Sequence, residues 1–111
     1  MFLYICVRLL KLPDMATREE YIRLLHKFVS EYGDEYGISR IGIFGSVARD
    51  QQTEDSDVDI LIEAPVLDLL SLIGIKYRLE EMLGTPVDVV RKTEYMPHLL
   101  RERVEREVIY V

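Results

Sequence analysis

With one cysteine, Cys6, the 111-residue chain has no thiol partner for an internal disulfide. Nor are there enough thiolates for a zinc cluster. That count fits a reducing compartment, and a cytoplasmic location is expected. Long apolar runs are also missing. None reaches the roughly 18 residues that read as a membrane span, so no membrane partner is expected. Met1 to Leu12 (MFLYICVRLLKL) comes nearest, but Arg8 and Lys11 interrupt it and no small-residue cleavage site follows, which argues against a secretory signal. Met15 opens a good helix start, so two readings of residues 1–14 stay open: an upstream extension of the reading frame, or an added strand. Basic residues are few. Fourteen Lys and Arg stand against twenty Asp and Glu, for a formal net charge of −6. A nonspecific nucleic-acid binder carries a basic stripe, and no such signal exists here. Repeats, low-complexity tracts and linkers are missing too, so residues 15–111 read as one domain.

What is present is a hydrophobic fraction of 49%, enough for one core. A chain this short buries only a modest share of its surface and is expected either to be marginally stable or to lean on a partner. Thr17-Arg18-Glu19-Glu20 reads as a capping box, with Thr17 at the N-cap. Tyr21, Leu24, Leu25, Phe28 and Val29 follow at helical spacing, and Gly33 and Gly37 are expected to end the helix. Ile41 to Phe44 reads as a buried strand, broken by Gly45-Ser46. Val47 to Asp50 reads as a helical turn, and Gln51 to Ser56 as a polar loop. Asp57 to Glu63 is predicted as the second strand, closed by Pro65. Asp68 to Leu83 reads as a helix, with apolar residues at Leu69, Leu72, Ile73, Leu79, Met82 and Leu83. Gly84 stops it. Val87 to Val90 is the third strand. A charged helix is expected from Glu94 or Tyr95 through Arg106, followed by an apolar tail, Val108 to Val111. This order predicts an α/β (α+β) domain: a small mixed sheet with flanking helices.

The chemistry sits on the strands. Asp57 and Asp59 lie two apart, so on a strand both carboxylates point the same way. Two ionised carboxylates that close raise each other's pKa, and the apolar neighbours Val58, Ile60, Leu61 and Ile62 sharpen the cost. A divalent cation removes it, and Mg²⁺ favours one or two carboxylates with phosphate oxygens and water. Asp88, between Val87 and Val89-Val90, repeats the anomaly on the third strand. Three carboxylates from two strands suit a two-metal phosphoryl- or nucleotidyl-transfer centre, with Asp57, Asp59 and Asp88 as catalytic and metal-binding groups. Taken singly, each has a plainer reading: a solvated loop for Glu54-Asp55-Ser56-Asp57, a strand edge for Asp88. Gly45-Ser46 lets a backbone approach a phosphate, with N–H groups and a hydroxyl at a helix start, or is a simple turn.

Gly45-Ser46-Val47-Ala48-Arg49 followed by Ser56-Asp57-Val58-Asp59-Ile60 resembles the GSxxR…SDxD signature of the DNA polymerase β-like nucleotidyltransferases. Asp88 falls where that superfamily carries its third carboxylate. The nearer resemblance is to the minimal nucleotidyltransferase (MNT) group, over Ile38 to Arg91 and more loosely to the terminal REVIYV. The resemblance implies a nucleotidyltransferase fold for residues 15–111. Asp57 and Asp59 would hold Mg²⁺, and Asp88 would complete the site and help activate the incoming hydroxyl. Gly45 and Ser46 would contact the phosphates of the NTP, with ATP as donor, and Arg49 would support the phosphates or the loop. Asp50 departs from the pattern, standing where the group often has glycine.

MNT proteins are often antitoxins paired with HEPN RNase toxins, and members transfer AMP from ATP to a toxin tyrosine. The toxin's own R-x4-H signature is missing here: neither His26 nor His98 has an arginine five positions earlier. Both histidines read as surface or packing residues. The resemblance therefore implies an Mg²⁺-dependent adenylyltransferase with a HEPN toxin as partner. Two alternatives remain: neutralisation of the toxin by binding alone, and transfer to tRNA or a small molecule. The first helix, Arg101, Arg103 and Arg106 of the last helix, and the apolar tail are candidate partner contacts, against the plainer reading of core packing and a solvated face.

Overall fold

A computed structural model describes residues 17–53, 56–65 and 67–111. The two readings of residues 1–14, and Glu54 and Asp55 of the acidic loop, lie outside the described residues.

Helix α1 (Arg18–Tyr36) starts where the capping box places it. The Thr17 hydroxyl accepts the Glu20 N–H at 3.2 Å. Tyr21, Leu25 and Phe28 are buried. The helix runs through Gly33 and ends at Gly37, which is left-handed. An interior glycine costs a helix only about 1 kcal/mol. Here the row Phe28, Tyr32 and Tyr36, with ring centroids 5.3 and 6.4 Å apart, carries the helix past it.

Strand β1 (Arg40–Phe44) leads into a single helical turn, α2 (Gly45–Ala48). Strand β2 (Val58–Glu63), helix α3 (Leu69–Leu83), strand β3 (Val87–Arg91), helix α4 (His98–Glu107) and a short strand β4 (Ile109–Tyr110) follow. The sheet order is β3-β2-β1-β4. Strands β2 and β3 are parallel, joined by α3, while β1 runs antiparallel to both β2 and β4. The expected mixed sheet with flanking helices is what forms.

Alternation along the strands divides the core. Ile41, Ile43, Val58, Ile60, Ile62 and Val87 pack with Leu25 and Phe28 of α1 and Ile75, Leu79 and Leu83 of α3. Phe44 and Leu61 face Val104 of α4 on the other side. Asp59 shares the strand parity of Leu61, so it belongs to the α4 face.

Three expectations shift. In α3 the buried stripe is Ile75, Leu79 and Leu83, whereas Leu69 and Ile73 stand exposed beside Leu70 and Tyr77. The first turn of that helix overhangs the sheet rather than covering it. Helix α4 begins at His98, not at Glu94 or Tyr95, because Pro97 at its N-cap disfavours helical backbone at Met96 before it. The tail is not a free apolar end. Ile109 and Tyr110 pair with Ile43 and Gly42 of β1. Gly42 permits this close approach, since a Cβ there would lie 2.6 Å from Val108 Cγ2 and 3.0 Å from the Ile109 carbonyl. The Arg40 guanidinium lies over the Tyr110 ring at 3.5 Å from its centroid, which adds a cation–π contact.

Candidate active site

One end of the sheet gathers the end of β1, the starts of β2 and β3, the α2 turn and the end of α4. Parallel pairing sets Asp59 directly opposite Asp88, and antiparallel pairing sets Phe44 on its other side. Asp57 precedes β2 by one residue rather than opening it, and is exposed, as is Asp88. Asp59 is half-buried. Burial pushes the Asp59 carboxyl above its ordinary pKa, and the charges of Asp88, Asp57 and Glu107 push the same way, while Arg103 pulls it down. The three predicted carboxylates therefore share one electrostatic neighbourhood with Asp59 at its centre.

Gly45 has φ +76°. It presses so closely on Asp59 that a Cβ would run into the Asp59 carboxylate. Only glycine meets both conditions, a left-handed backbone and contact with a functional side chain. Ser46 follows in the first turn of α2, half-buried. Arg18 of α1 braces the other end of that turn by donating to the Ala48 carbonyl at 3.0 Å.

Arg49 does not face the carboxylates alone. Its guanidinium donates to Glu107 Oε1 at 2.6 Å and to Gln51 Oε1 at 3.1 Å. Of the two roles considered for Arg49, support of the loop is the one with contacts. Asp50 has φ +58°, a left-handed conformation. That conformation gives a physical reason for glycine at this place in similar chains, and aspartate tolerates it better than most side chains.

Two further residues belong to this site: Glu107, which the sequence does not single out, and Arg103, which it offers only as a partner contact. Glu107 Oε2 accepts the Gly45 N–H at 3.2 Å and lies 3.5 Å from Arg103 Nε. Burial opposes its charge, yet the Arg49 hydrogen bond and charge, the Arg103 charge and the Gly45 N–H together hold its pKa below the ordinary value. The only local signal was the four-residue spacing of Arg103 and Glu107 on one helix. Arg101, considered as a rim charge, instead donates to the Thr93 carbonyl at 2.9 Å. His26 is exposed, and His98 pairs with Glu102 on the surface, as expected for histidines without a catalytic role.

Among the described residues, no three His, Cys, Asp or Glu side chains converge tightly enough to hold a metal ion by themselves. The three-carboxylate metal centre expected from Asp57, Asp59 and Asp88 is thus not assembled as a cluster in this structure; Mg²⁺ can bind through as few as one or two carboxylates, with water and substrate phosphate completing its shell. Burial is the first cause of the raised pKa of Asp59 and its acidic neighbours the second, and a bound cation would offset both by compensating the carboxylate charge.

The same shift predicts a pH effect. Because the folded-state pKa of Asp59 is raised, the folded chain binds its proton more tightly than the unfolded chain. Stability is then lost as pH rises from the ordinary carboxylate pKa, about 4, through the raised value. Asp59→Asn is expected to melt at a higher temperature than the parent at pH 7 in chelator. The gap should close below the ordinary carboxylate pKa. A variant no more stable than the parent at pH 7 would show that Asp59 carries no such strain.

A small mixed sheet with an acidic strand end, and a glycine turn pressed against it, is the build of a nucleotidyltransferase. The nucleotidyltransferase domain family matches residues 22–111. Protein adenylyltransferase MntA of Thermococcus cleftensis is 39% identical over 98 residues, covering 87% of this chain and 98% of that protein. A solved structure described as a minimal nucleotidyltransferase superposes with a TM-score of 0.71 at 35% identity, covering 86% of this chain and 97% of the other. An MNT antitoxin solved in complex with a tri-AMPylated HEPN toxin of Shewanella oneidensis has a TM-score of 0.63 at 19% identity, covering 85% and 71%; at that identity the likeness is one of fold. The chain belongs to the nucleotidyltransferase domain family. Among the described residues, no helix is long and apolar enough to cross a membrane.

Proposed function

We propose that residues 15–111 form one domain that transfers AMP from ATP to a tyrosine of a HEPN toxin, and so acts as an antitoxin. The observation that carries this reading is the register of Asp59 against Asp88 with Gly45 packed on the Asp59 carboxylate. It is supported by similarity to a relative named protein adenylyltransferase over nearly its whole length. In this reading Asp57 and Asp59 hold Mg²⁺ with Asp88 beside them. Bound Mg²⁺ supplies charge neutralisation on the triphosphate and on the departing pyrophosphate.

The chain's own residues do the rest. The Gly45-Ser46 turn offers the Ser46 N–H and hydroxyl to the phosphates, the Gly45 N–H being held by Glu107. Asp88 accepts the proton of the incoming tyrosine hydroxyl, whose oxygen bonds to the α-phosphorus. The bond from that phosphorus to the bridging oxygen of the β-phosphate breaks, and pyrophosphate leaves. A partner protein is favoured as acceptor by the exposed apolar stripe of α3, where Leu69, Leu70 and Tyr77 are each more than half exposed. Exposed apolar patches of this kind mark interaction surfaces.

The test is co-expression with the product of a neighbouring reading frame that carries R-x4-H, followed by intact mass measurement. The partner is expected to gain AMP-sized increments on tyrosine. An unmodified partner that is nevertheless bound and silenced would favour neutralisation by binding alone.

A further inference from the structure

The end of α4 is tied into the acidic strand end by one side chain. Glu107 is 13% exposed and uses both carboxylate oxygens. Oε1 accepts from Arg49 at 2.6 Å. Oε2 accepts the Gly45 N–H at 3.2 Å and faces Arg103 Nε at 3.5 Å. Two guanidinium groups on different elements, and the backbone of the glycine turn, thus converge on one carboxylate.

We propose that Glu107 is a positioning residue for the nucleotide triphosphate: it sets the Gly45 turn and the Arg49 and Arg103 guanidinium groups in register beside Asp59. The inference rests on the nucleotidyltransferase reading of this site and adds a residue that the GSxxR…SDxD pattern does not contain. Its physical basis is charge and reach. Gly45 is the residue in contact with Asp59, so whatever holds its N–H also fixes the spacing between the turn and that carboxylate. Arg49 and Arg103 carry two positive charges against the single negative charge of Glu107, leaving one positive charge of surplus beside the turn. Arg103 is also the cation whose charge lowers the Asp59 pKa. Without Glu107, both guanidinium groups lose a shared anchor and become free to pair with Asp57, Asp59 and Asp88. Their collapse onto those acids would take positive charge away from the triphosphate and occupy the acids themselves.

The role acts through other groups, so it should be read in nucleotide affinity more than in turnover. Loss of a charge-assisted hydrogen-bond network predicts that Glu107→Ala raises the KM for ATP by about tenfold or more, while kcat falls by less than about threefold. Binding of the ATP analogue AMP-PNP with Mg²⁺, measured by calorimetry in the absence of an acceptor protein, should weaken by a similar factor. Glu107→Gln keeps the shape and an oxygen acceptor but loses the charge, so it should fall between the two. It also serves where Glu107→Ala fails to fold. Thermal melting in parallel gives the stability of each variant.

A purely structural Glu107 would lower the melting temperature and leave AMP-PNP affinity unchanged in the folded Glu107→Gln protein, which would overturn the proposal. Tighter AMP-PNP binding in either variant would overturn it too, by making Glu107 a competitor of the phosphates. Should the parent chain bind AMP-PNP yet transfer no AMP, the transfer reading fails while the affinity comparison still decides the role of Glu107. A parent chain that binds no AMP-PNP would overturn both.

Discussion

Replacing Asp57 and Asp59 together by asparagine is expected to reduce AMP transfer by at least about a thousandfold, an increase of about 4 kcal/mol in the barrier. The reason is local. Asp59 is the half-buried carboxylate at the centre of the cluster, and Asp57 is one of the charges that raise its pKa. In a site whose cation is held by one or two carboxylates and by phosphate, losing both leaves the triphosphate charge uncompensated. The substitution keeps side-chain volume, and its effect on stability should be neutral or favourable, because it removes repulsion. A folded, inactive double variant, checked by melting temperature and by transfer assay on the same preparation, is the predicted outcome. Unchanged transfer by that variant would remove the metal assignment from Asp57 and Asp59. If the variant still silences the partner, binding rather than modification neutralises the toxin.

Gly45→Ala is the second substitution of large expected effect, and it acts by shape rather than charge. At φ +76° an added methyl carries the left-handed penalty of about 1–2 kcal/mol. The same methyl would enter the Asp59 carboxylate, and overpacking of that kind costs about 1–3 kcal/mol. Relief requires the turn and β2 to move apart, which also pulls the Gly45 N–H from Glu107. We expect a stability loss of about 2–5 kcal/mol in denaturant melts, from those two costs. Transfer should fall by about a hundredfold, as displacements near 1 Å in catalytic groups do. Retention of full transfer by Gly45→Ala would mean that the turn is not part of the site.

These two positions also show why some of the site could be read from sequence and some could not. Asp59 and Asp88 were readable because a charged residue inside an apolar strand pattern is costly, and period-two alternation fixes its face. Gly45-Ser46 was readable as a break after a buried strand, with its function supplied by the GSxxR…SDxD resemblance. Asp57 was placed on the strand by the same alternation, yet β2 begins one residue later, at Val58. Glu107 was out of reach of any such argument, because, Arg103 apart, its partners lie 58 and 62 residues away and only the packing of α4 on the sheet joins them. The order of elements was readable from period and capping. The β4 pairing was not. Val108 to Val111 is apolar either way, and its edge position depends on Gly42 admitting it, a contact between residues far apart in the chain. Helix α3 misled in the opposite sense, since Leu69 and Ile73 fit a helical stripe but lie on the side turned away from the sheet. An apolar residue left outside in this way is a property of packing, and no single helix reveals it.

The central claim is that this chain moves a nucleotide, not a phosphate, onto a protein hydroxyl. Purified chain and the R-x4-H protein proposed as its partner, incubated with Mg²⁺ and ATP labelled either at the α- or at the γ-phosphorus, test that claim most directly. Label from the α-phosphorus should appear on the partner and be lost with Asp57→Asn/Asp59→Asn, while γ-label should leave entirely with pyrophosphate. Transfer of γ-label to the partner, or α-label on the partner that survives the double substitution, would contradict the account.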